Sequence, residues 1–74
     1  MPHIDVKMFP GRSEEIKKNL AEKLRETAAK ELGVDEAVLS VSVGDVEKEN
    51  WNKEVAESVP EEEILAGKMY RVEE

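Results

Sequence analysis

The first nine residues alternate between apolar and polar side chains. Such a two-residue period predicts a half-buried strand over residues 2–9. The Pro10-Gly11 pair that follows predicts a turn that ends the strand. One face of the strand is expected to be apolar and the other polar, with Pro2, Ile4, Val6 and Met8 opposite His3, Asp5 and Lys7.

A four-residue apolar repeat comes next and predicts an amphipathic helix over residues 14–32. Ser13 is a suitable N-cap, and Glu14 and Glu15 suit the positive end of the helix dipole. Gly33 is a natural C-cap. The apolar stripe of this helix is expected to contain Ile16, Leu20, Ala21, Leu24, Ala28 and Leu32.

A second alternation over residues 38–43 predicts another strand, with Leu39, Val41 and Val43 on one face. The order strand, helix, strand predicts an α+β fold made of a single β-α-β unit. Its two strands should lie parallel, joined by a right-handed crossover. We expect one domain over residues 1–74. The polar segment after residue 43 is expected to hold a helical turn over residues 48–53 and a short terminal strand over residues 68–72.

The small size of the chain predicts that it assembles with further copies of itself. Two strands and one helix cannot cover both faces of a sheet. The three aromatic residues are too few for a large core, and no cysteine is available for a disulfide. Domains this short without such staples often need oligomerisation. We therefore expect oligomerisation to complete the fold.

The composition excludes several classes of function. With 18 acidic and 11 basic residues the chain carries a net charge of −7, which disfavours nucleic acid and anionic membranes as partners. No apolar run approaches the ~18 residues of a membrane span, and residues 1–9 contain no uninterrupted apolar region typical of a signal peptide, so a soluble cytoplasmic protein is expected. The lack of cysteine and the single histidine predict no metal site.

The charges are unevenly distributed along the chain. Residues 1–31 contain seven basic and six acidic residues and carry a net charge of +1, so residues 32–74 carry a net charge of −8. The cations of an anion-binding site should therefore come from the first half. The acidic second half, including the glutamates 61–63, is interpreted as a solvated surface.

The Met1-Pro2 start offers the clearest candidate chemistry. A small second residue permits removal of Met1, which leaves the secondary amine of Pro2 as the terminus. An ordinary α-amino group has a pKa of about 7.7 to 8.0, and desolvation favours its neutral form. At the mouth of an apolar pocket such an amine can act as a base near neutral pH.

Several segments together resemble the 4-oxalocrotonate tautomerase family. They are the start Met-Pro-His-Ile-Asp-Val-Lys, the run Phe-Pro-Gly-Arg-Ser at residues 9–13, the long helix, the Val-Ser-Val strand at residues 41–43 and Asn50-Trp51. The resemblance covers residues 2 to about 52. It is nearest to the longer-chain branch that acts on phenylpyruvate-like enols.

This resemblance implies roles for four residues. Pro2 corresponds to the amino-terminal proline that shuttles a proton, and Arg12 to the arginine that binds the substrate carboxylate. Trp51 corresponds to the aromatic position that closes the pocket, with a core or interface anchor as its alternative. Ser40 stands where the six-subunit members carry a second arginine, so we expect a monocarboxylate substrate.

Each assignment has an alternative. Arg12 could simply pair with Glu14 or Glu15 on the surface. Ser40 could face a polar layer of the sheet, and His3 is read as a surface or interface histidine with a proton-relay role as the alternative. Arg71 could replace the second cation if the terminal strand folds over a neighbouring pocket.

The function implied is a cofactor-independent isomerase that interconverts the enol and keto forms of a 2-oxo acid. Its partners are expected to be that small molecule and further copies of the chain, with a dimer favoured and a hexamer as the alternative. Two other functions stay open: a hydratase or dehalogenase of unsaturated acids, and a non-catalytic interaction protein with the same fold.

Overall fold

A computed structural model describes residues 1–73 of the chain. Strand β1 (His3–Met8) is followed by helix α1 (Glu14–Leu32) and strand β2 (Ser40–Asp45). The two strands pair in parallel, with His3 opposite Ser40 and Met8 opposite Asp45. The predicted β-α-β unit is therefore confirmed. Glu74, the last residue of the predicted domain, lies outside the described residues.

Helix α1 begins and ends at the residues that the sequence indicated. The Ser13 hydroxyl accepts a hydrogen bond from the Ile16 amide at 3.2 Å. At the other end Gly33 adopts a left-handed conformation, with φ of 67° and ψ of 36°, and its amide donates to the Ala29 carbonyl. Both caps satisfy backbone groups that the helix ends leave without partners.

The sheet has one face toward α1 and one face away from it. Lys17 of α1 forms an ion pair of 2.9 Å with Asp45, so the face that carries Asp45 lies against the helix. Because side chains alternate along a strand, Val41 and Val43 share this face with their register partners Ile4 and Val6. The opposite side is called the polar face here and consists of His3, Asp5, Lys7, Ser40, Ser42 and Gly44.

The apolar core is small. Within residues 1–73 no large side chain is completely buried, and the most buried apolar residues are Ala29, Leu39, Val46, Val55 and Ala56. The two ends of the predicted helix stripe are open to solvent, since Ile16 is 55% and Leu32 is 57% exposed. Only the middle of α1 therefore contributes to burial within one chain.

Strand β2 begins two residues later than predicted. Glu36–Val38 forms a 3₁₀ turn instead, because the Asp35 carboxylate accepts a hydrogen bond from the Ala37 amide at 2.8 Å and caps this turn. The Arg25 side chain donates to the carbonyls of Glu36 and Leu39, which fixes the entry into the strand.

The end of the chain differs more from the expectation. The predicted turn around Trp51 is confirmed and is longer than expected, with a 3₁₀ turn at Lys48–Asn50 followed by a π-helical turn at Asn52–Ala56. The predicted terminal strand over residues 68–72 is wrong, because the described residues contain a sheet of two strands only. The backbone of Val72 pairs with a side chain, that of Asn52, instead of with a strand.

Candidate active site

The four predicted site residues lie at two opposite ends of the sheet. Pro2 and Ser40 are at the end where both strands begin, and the Ser40 amide donates to the Pro2 carbonyl at 3.4 Å. Arg12 and Trp51 line one cavity at the other end. A strand advances about 3.3 Å per residue, so Pro2 and Met8 are about 20 Å apart. One chain therefore does not bring Pro2 and Arg12 together.

The cavity that contains Arg12 has a volume of about 260 Å³ and opens to solvent, and we call it the Arg12 cavity. Arg12 directly precedes the N-cap of α1, where exposed amides favour an anion. No ion pair joins Arg12 to another residue within residues 1–73, whereas Glu14 pairs with Lys17 at 3.7 Å. The surface pair with a glutamate is therefore absent there. The cavity lining is Lys7, Met8, Phe9, Arg12, Trp51 and Tyr70.

Three aromatic rings form one wall of this cavity. The ring centroid of Phe9 lies 5.0 Å from that of Trp51, at an interplanar angle of 77°. It lies 6.0 Å from that of Tyr70, at an angle of 79°. Both are edge-to-face arrangements, which the ring quadrupoles favour. Trp51 is thus both a packing anchor and part of the cavity wall.

The last part of the chain is held against this wall. The indole N–H of Trp51 donates to the Tyr70 carbonyl at 2.9 Å. The amide group of Asn52 donates to the Val72 carbonyl at 2.7 Å and accepts from the Val72 amide at 2.8 Å. Residues 70–72, called the C-terminal strap below, are therefore fixed by two neighbouring side chains.

A second cation, Lys7, also lines the Arg12 cavity. It forms an ion pair of 3.4 Å with Asp5, and both side chains are nearly half exposed. The pKa of Asp5 lies below its ordinary value, first because the Ser42 hydroxyl donates to the carboxylate and also because Lys7 is close. Sequence reasoning took Lys7 as a polar strand position only, so it missed this contribution.

The polar face carries a hydrogen-bonded row beside Pro2. His3 Nδ1 lies 2.7 Å from the Ser40 hydroxyl, and His3 Nε2 lies 3.0 Å from the Ser42 hydroxyl. Because Ser42 donates to Asp5 at 2.6 Å, its oxygen is left to accept from Nε2–H. In a neutral His3 the Ser40 hydroxyl then donates to Nδ1. Ser40 does face a polar layer, and His3 is exposed.

Arg71 lies away from the Arg12 cavity of its own chain. Its guanidinium is 3.6 Å from the Glu57 carboxylate, and both side chains are more than half exposed. It lines a different cavity together with Ala56 and Met69. Within one chain Arg71 therefore does not supply a second cation beside Arg12.

Other parts of the structure carry less chemistry. A larger cavity of about 510 Å³ near the end of α1 contains three carboxylates and one lysine, which is unsuited to an anionic substrate. Within residues 1–73 there is no group of three histidine or carboxylate side chains that could hold a metal ion. In that same range no helix is long and apolar enough to cross a membrane, and the cytoplasmic location stays a prediction.

The sequence comparisons decide the family. A family model described as tautomerase enzyme matches residues 2–56. The chain belongs to the tautomerase family. A probable tautomerase of Xylella fastidiosa is 44% identical over 55 residues, which covers 74% of this chain and 67% of the relative. The Tautomerase PptA of Pectobacterium atrosepticum is 42% identical over 71 residues, which covers 92% of this chain and 93% of the relative.

A further relative carries a different substrate name. The 2-hydroxymuconate tautomerase of Bacillus subtilis is 35% identical over 51 residues, which covers 69% of this chain and 82% of the relative. No solved structure matches the chain. As a tautomerase the protein is an isomerase, and the expectation of an enzyme is confirmed.

Proposed function

We propose that this tautomerase converts the enol of a 2-oxo monocarboxylic acid, such as phenylpyruvate, to its keto form without a cofactor. The Arg12 cavity supports this proposal most directly. It combines three aromatic rings with a guanidinium that forms no ion pair within residues 1–73, which suits a small molecule that carries both a carboxylate and an aryl group.

Pro2 is proposed as the proton shuttle. After removal of Met1 its secondary amine takes the proton of the enol hydroxyl, and the resulting ammonium delivers a proton to C3 of the substrate. One proton leaves oxygen and one arrives at carbon, so the step is balanced. Ser40, whose amide bonds to Pro2, is proposed to offer its hydroxyl to the substrate at this end of the site.

The complete site is proposed to need a second copy of the chain. Since Met8, which lines the Arg12 cavity, lies about 20 Å along β1 from Pro2, a small substrate cannot touch both Pro2 and Arg12 within one chain. Both strands also have an unpaired outer edge within the described residues, which a second copy can cover. We favour a homodimer, with a hexamer as the alternative, in which each chain is a single domain.

A hydratase or dehalogenase is less well supported. Those reactions need a group that activates water, for which a carboxylate is the usual choice. The described residues that line the Arg12 cavity include two cations and no carboxylate. Proton transfer by Pro2 needs no such group.

The test is ketonisation of phenylpyruvate enol, followed by its ultraviolet absorbance. Insertion of a glutamate after Met1 blocks methionine removal and keeps the Pro2 nitrogen acylated. The rate should then fall by about 10²- to 10⁴-fold, the usual contribution of a positioned base. Pro2→Ala, which leaves a primary amine in nearly the same place, should retain part of the activity. Equal rates for the blocked and processed forms would remove Pro2 from the mechanism.

A further inference from the structure

We infer that Tyr70 determines specificity in the Arg12 cavity by stacking against the aryl group of the substrate, and that Asn52 positions it there. The inference rests on the proposed function and adds to it a residue near the end of the chain. Tyr70 lies outside the matched family segment of residues 2–56. Its contribution therefore comes from the C-terminal strap and not from the β-α-β unit.

The strap is fixed by side chains that flank the cavity. Trp51 holds the carbonyl of Tyr70, and Asn52 holds both backbone groups of Val72. Asn52 is only 8% exposed, and a buried amide group needs hydrogen-bond partners. It finds them in the backbone of Val72, where it forms the two hydrogen bonds that a neighbouring strand would otherwise form. Trp51 and Asn52, which are adjacent in the chain, thus set the position of the Tyr70 backbone.

The Tyr70 ring is available to a ligand. The ring packs edge-to-face on Phe9 at 6.0 Å, while the residue is 59% exposed. Arg12 and Lys7 line the same cavity and can bind a carboxylate. A ligand whose carboxylate is held by these cations can place an aryl group against Tyr70 and Phe9. An aliphatic group of the same size fits the space but lacks the ring interaction.

The expected discrimination is modest. Aromatic pairs contribute roughly a two- to tenfold gain in affinity beyond their apolar area. Tyr70→Leu should remove most of this gain. It leaves the backbone carbonyl in place, so the hydrogen bond from Trp51 is retained. Tyr70→Phe keeps the ring and should keep the discrimination.

Binding can be measured without turnover, because Trp51 is the only tryptophan of the chain and lines the cavity. The quenching of its fluorescence is titrated with 3-phenylpropanoate and with 3-cyclohexylpropanoate, which share the carboxylate and the chain length. The processed wild-type oligomer should bind the phenyl compound about two- to tenfold more tightly. Tyr70→Leu should lose most of this preference, and Tyr70→Phe should behave as wild type. Leu65→Ala is the matched control, since Leu65 belongs to the same tail, is 92% exposed and does not line the cavity.

The role of Asn52 is tested by a double-mutant cycle. If Asn52 acts by holding Tyr70, the losses of phenyl affinity in Asn52→Ala and Tyr70→Leu should not add, and the double variant should match Tyr70→Leu alone. Circular dichroism and light scattering identify variants that keep fold and assembly. If Asn52→Ala does not fold, the Tyr70 titrations test the inference without it.

Several results would overturn the inference. They are equal binding of the two compounds by the wild type, an unchanged preference in Tyr70→Leu, a loss of preference in Leu65→Ala, or additive losses in the cycle. Ketonisation of phenylpyruvate enol is measured in parallel. An inactive wild type that still prefers the phenyl compound would contradict the proposed function, whereas an active wild type without a preference would contradict the role of Tyr70.

Discussion

Arg12 is available to an anion because the glutamate nearest to it in sequence, Glu14, has another partner. Glu14 pairs with Lys17, and Lys17 itself is held by Asp45 on the sheet. The guanidinium stays unpaired within residues 1–73, beside the amides at the start of α1. The charge of Arg12 can therefore be used for binding without first breaking an ion pair.

The first prediction is that Arg12→Ala weakens binding of the enol carboxylate. Loss of a charged hydrogen-bond partner costs about 1.5 to 3 kcal/mol, so kcat/KM for phenylpyruvate enol should fall roughly tenfold to a hundredfold. The control is Arg71→Ala, because Arg71 is a cation outside the cavity, paired with Glu57. An unchanged kcat/KM in Arg12→Ala would show that Arg12 is a surface residue that does not bind the substrate.

The second prediction concerns Asp5 and pH. Its pKa in the folded protein lies below the ordinary 3.8, because Ser42 and Lys7 favour the carboxylate. The stabilisation is therefore present above pH 3.8 and is lost as the pH falls through the lower folded value. The difference in unfolding free energy between wild type and Asp5→Asn should be constant at about pH 5 to 7 and shrink below pH 4.

Urea titrations at a series of pH values measure this difference. Ser42→Ala removes the main cause of the shift, so in that background the dependence on pH should be weaker. A difference between wild type and Asp5→Asn that stays constant from neutral pH down to the acid limit would contradict the assignment.

At the scale of elements, α1 depends on a residue that can take a left-handed conformation. Gly33 has a φ of 67°, and apart from its chain neighbours no other atom of residues 1–73 lies within 4 Å of the position that a Cβ would take. Only backbone strain, and no steric clash, therefore opposes a side chain at this position.

The third prediction follows from this conformation. Gly33→Ala should destabilise the protein by about 1 to 2 kcal/mol, whereas Gly33→Asn should cost less, because asparagine tolerates a left-handed backbone. Urea unfolding at one fixed protein concentration measures both, since assembly makes stability depend on concentration. Equal losses in the two variants would show that the cap conformation is not the cause.

The elements that the sequence predicted well are those whose signals are local. The alternation in β1, the caps Ser13 and Gly33 and the turn around Trp51 each depend on neighbouring residues, and the structure has them where they were expected. The strap could not be predicted in this way. Tyr70 contacts Phe9, which is 61 positions away in the sequence, and the backbone of Val72 bonds to the Asn52 side chain. Neither contact produces a periodic pattern of apolar residues within residues 70–72, so local patterns could not reveal them.

The same limit applies to the site. The roles of Pro2, Arg12 and Trp51 were inferred from the family resemblance, since local sequence patterns gave only weak evidence for these roles. Their placement at opposite ends of the sheet follows from the parallel register, which puts Pro2 beside Ser40 and the Arg12 cavity beyond Met8. The contribution of Lys7 was missed because the sequence does not distinguish a strand lysine that lines a cavity from one that is only solvated.

At the scale of the whole molecule, one chain leaves much apolar surface uncovered. Ile16 and Leu32 are each more than half exposed, and no large side chain within residues 1–73 is completely buried. The fourth prediction is therefore an obligate oligomer. Light scattering at low micromolar concentration should give at least twice the chain mass of 8.4 kDa. A folded monomer at that concentration would contradict this prediction.

The central claim is that Pro2 of one copy acts with Arg12 of another copy. Two impaired chains test it directly: Arg12→Ala, which keeps a free Pro2, and the chain with a glutamate inserted after Met1, which keeps Arg12. The two are unfolded together, refolded as an equal mixture and checked for normal assembly by light scattering. Ketonisation of phenylpyruvate enol is then compared with that of each variant refolded alone.

If the site takes its two residues from different copies, random assembly gives an intact Pro2 and an intact Arg12 together in about a quarter of the sites, whatever the size of the oligomer. The mixture should therefore recover roughly a quarter of wild-type activity, while each variant alone stays at about a tenth or less. If both residues came from the same chain, every site would carry one defect. Activity of the mixture no higher than that of the separate variants, in normally assembled protein, would contradict the account.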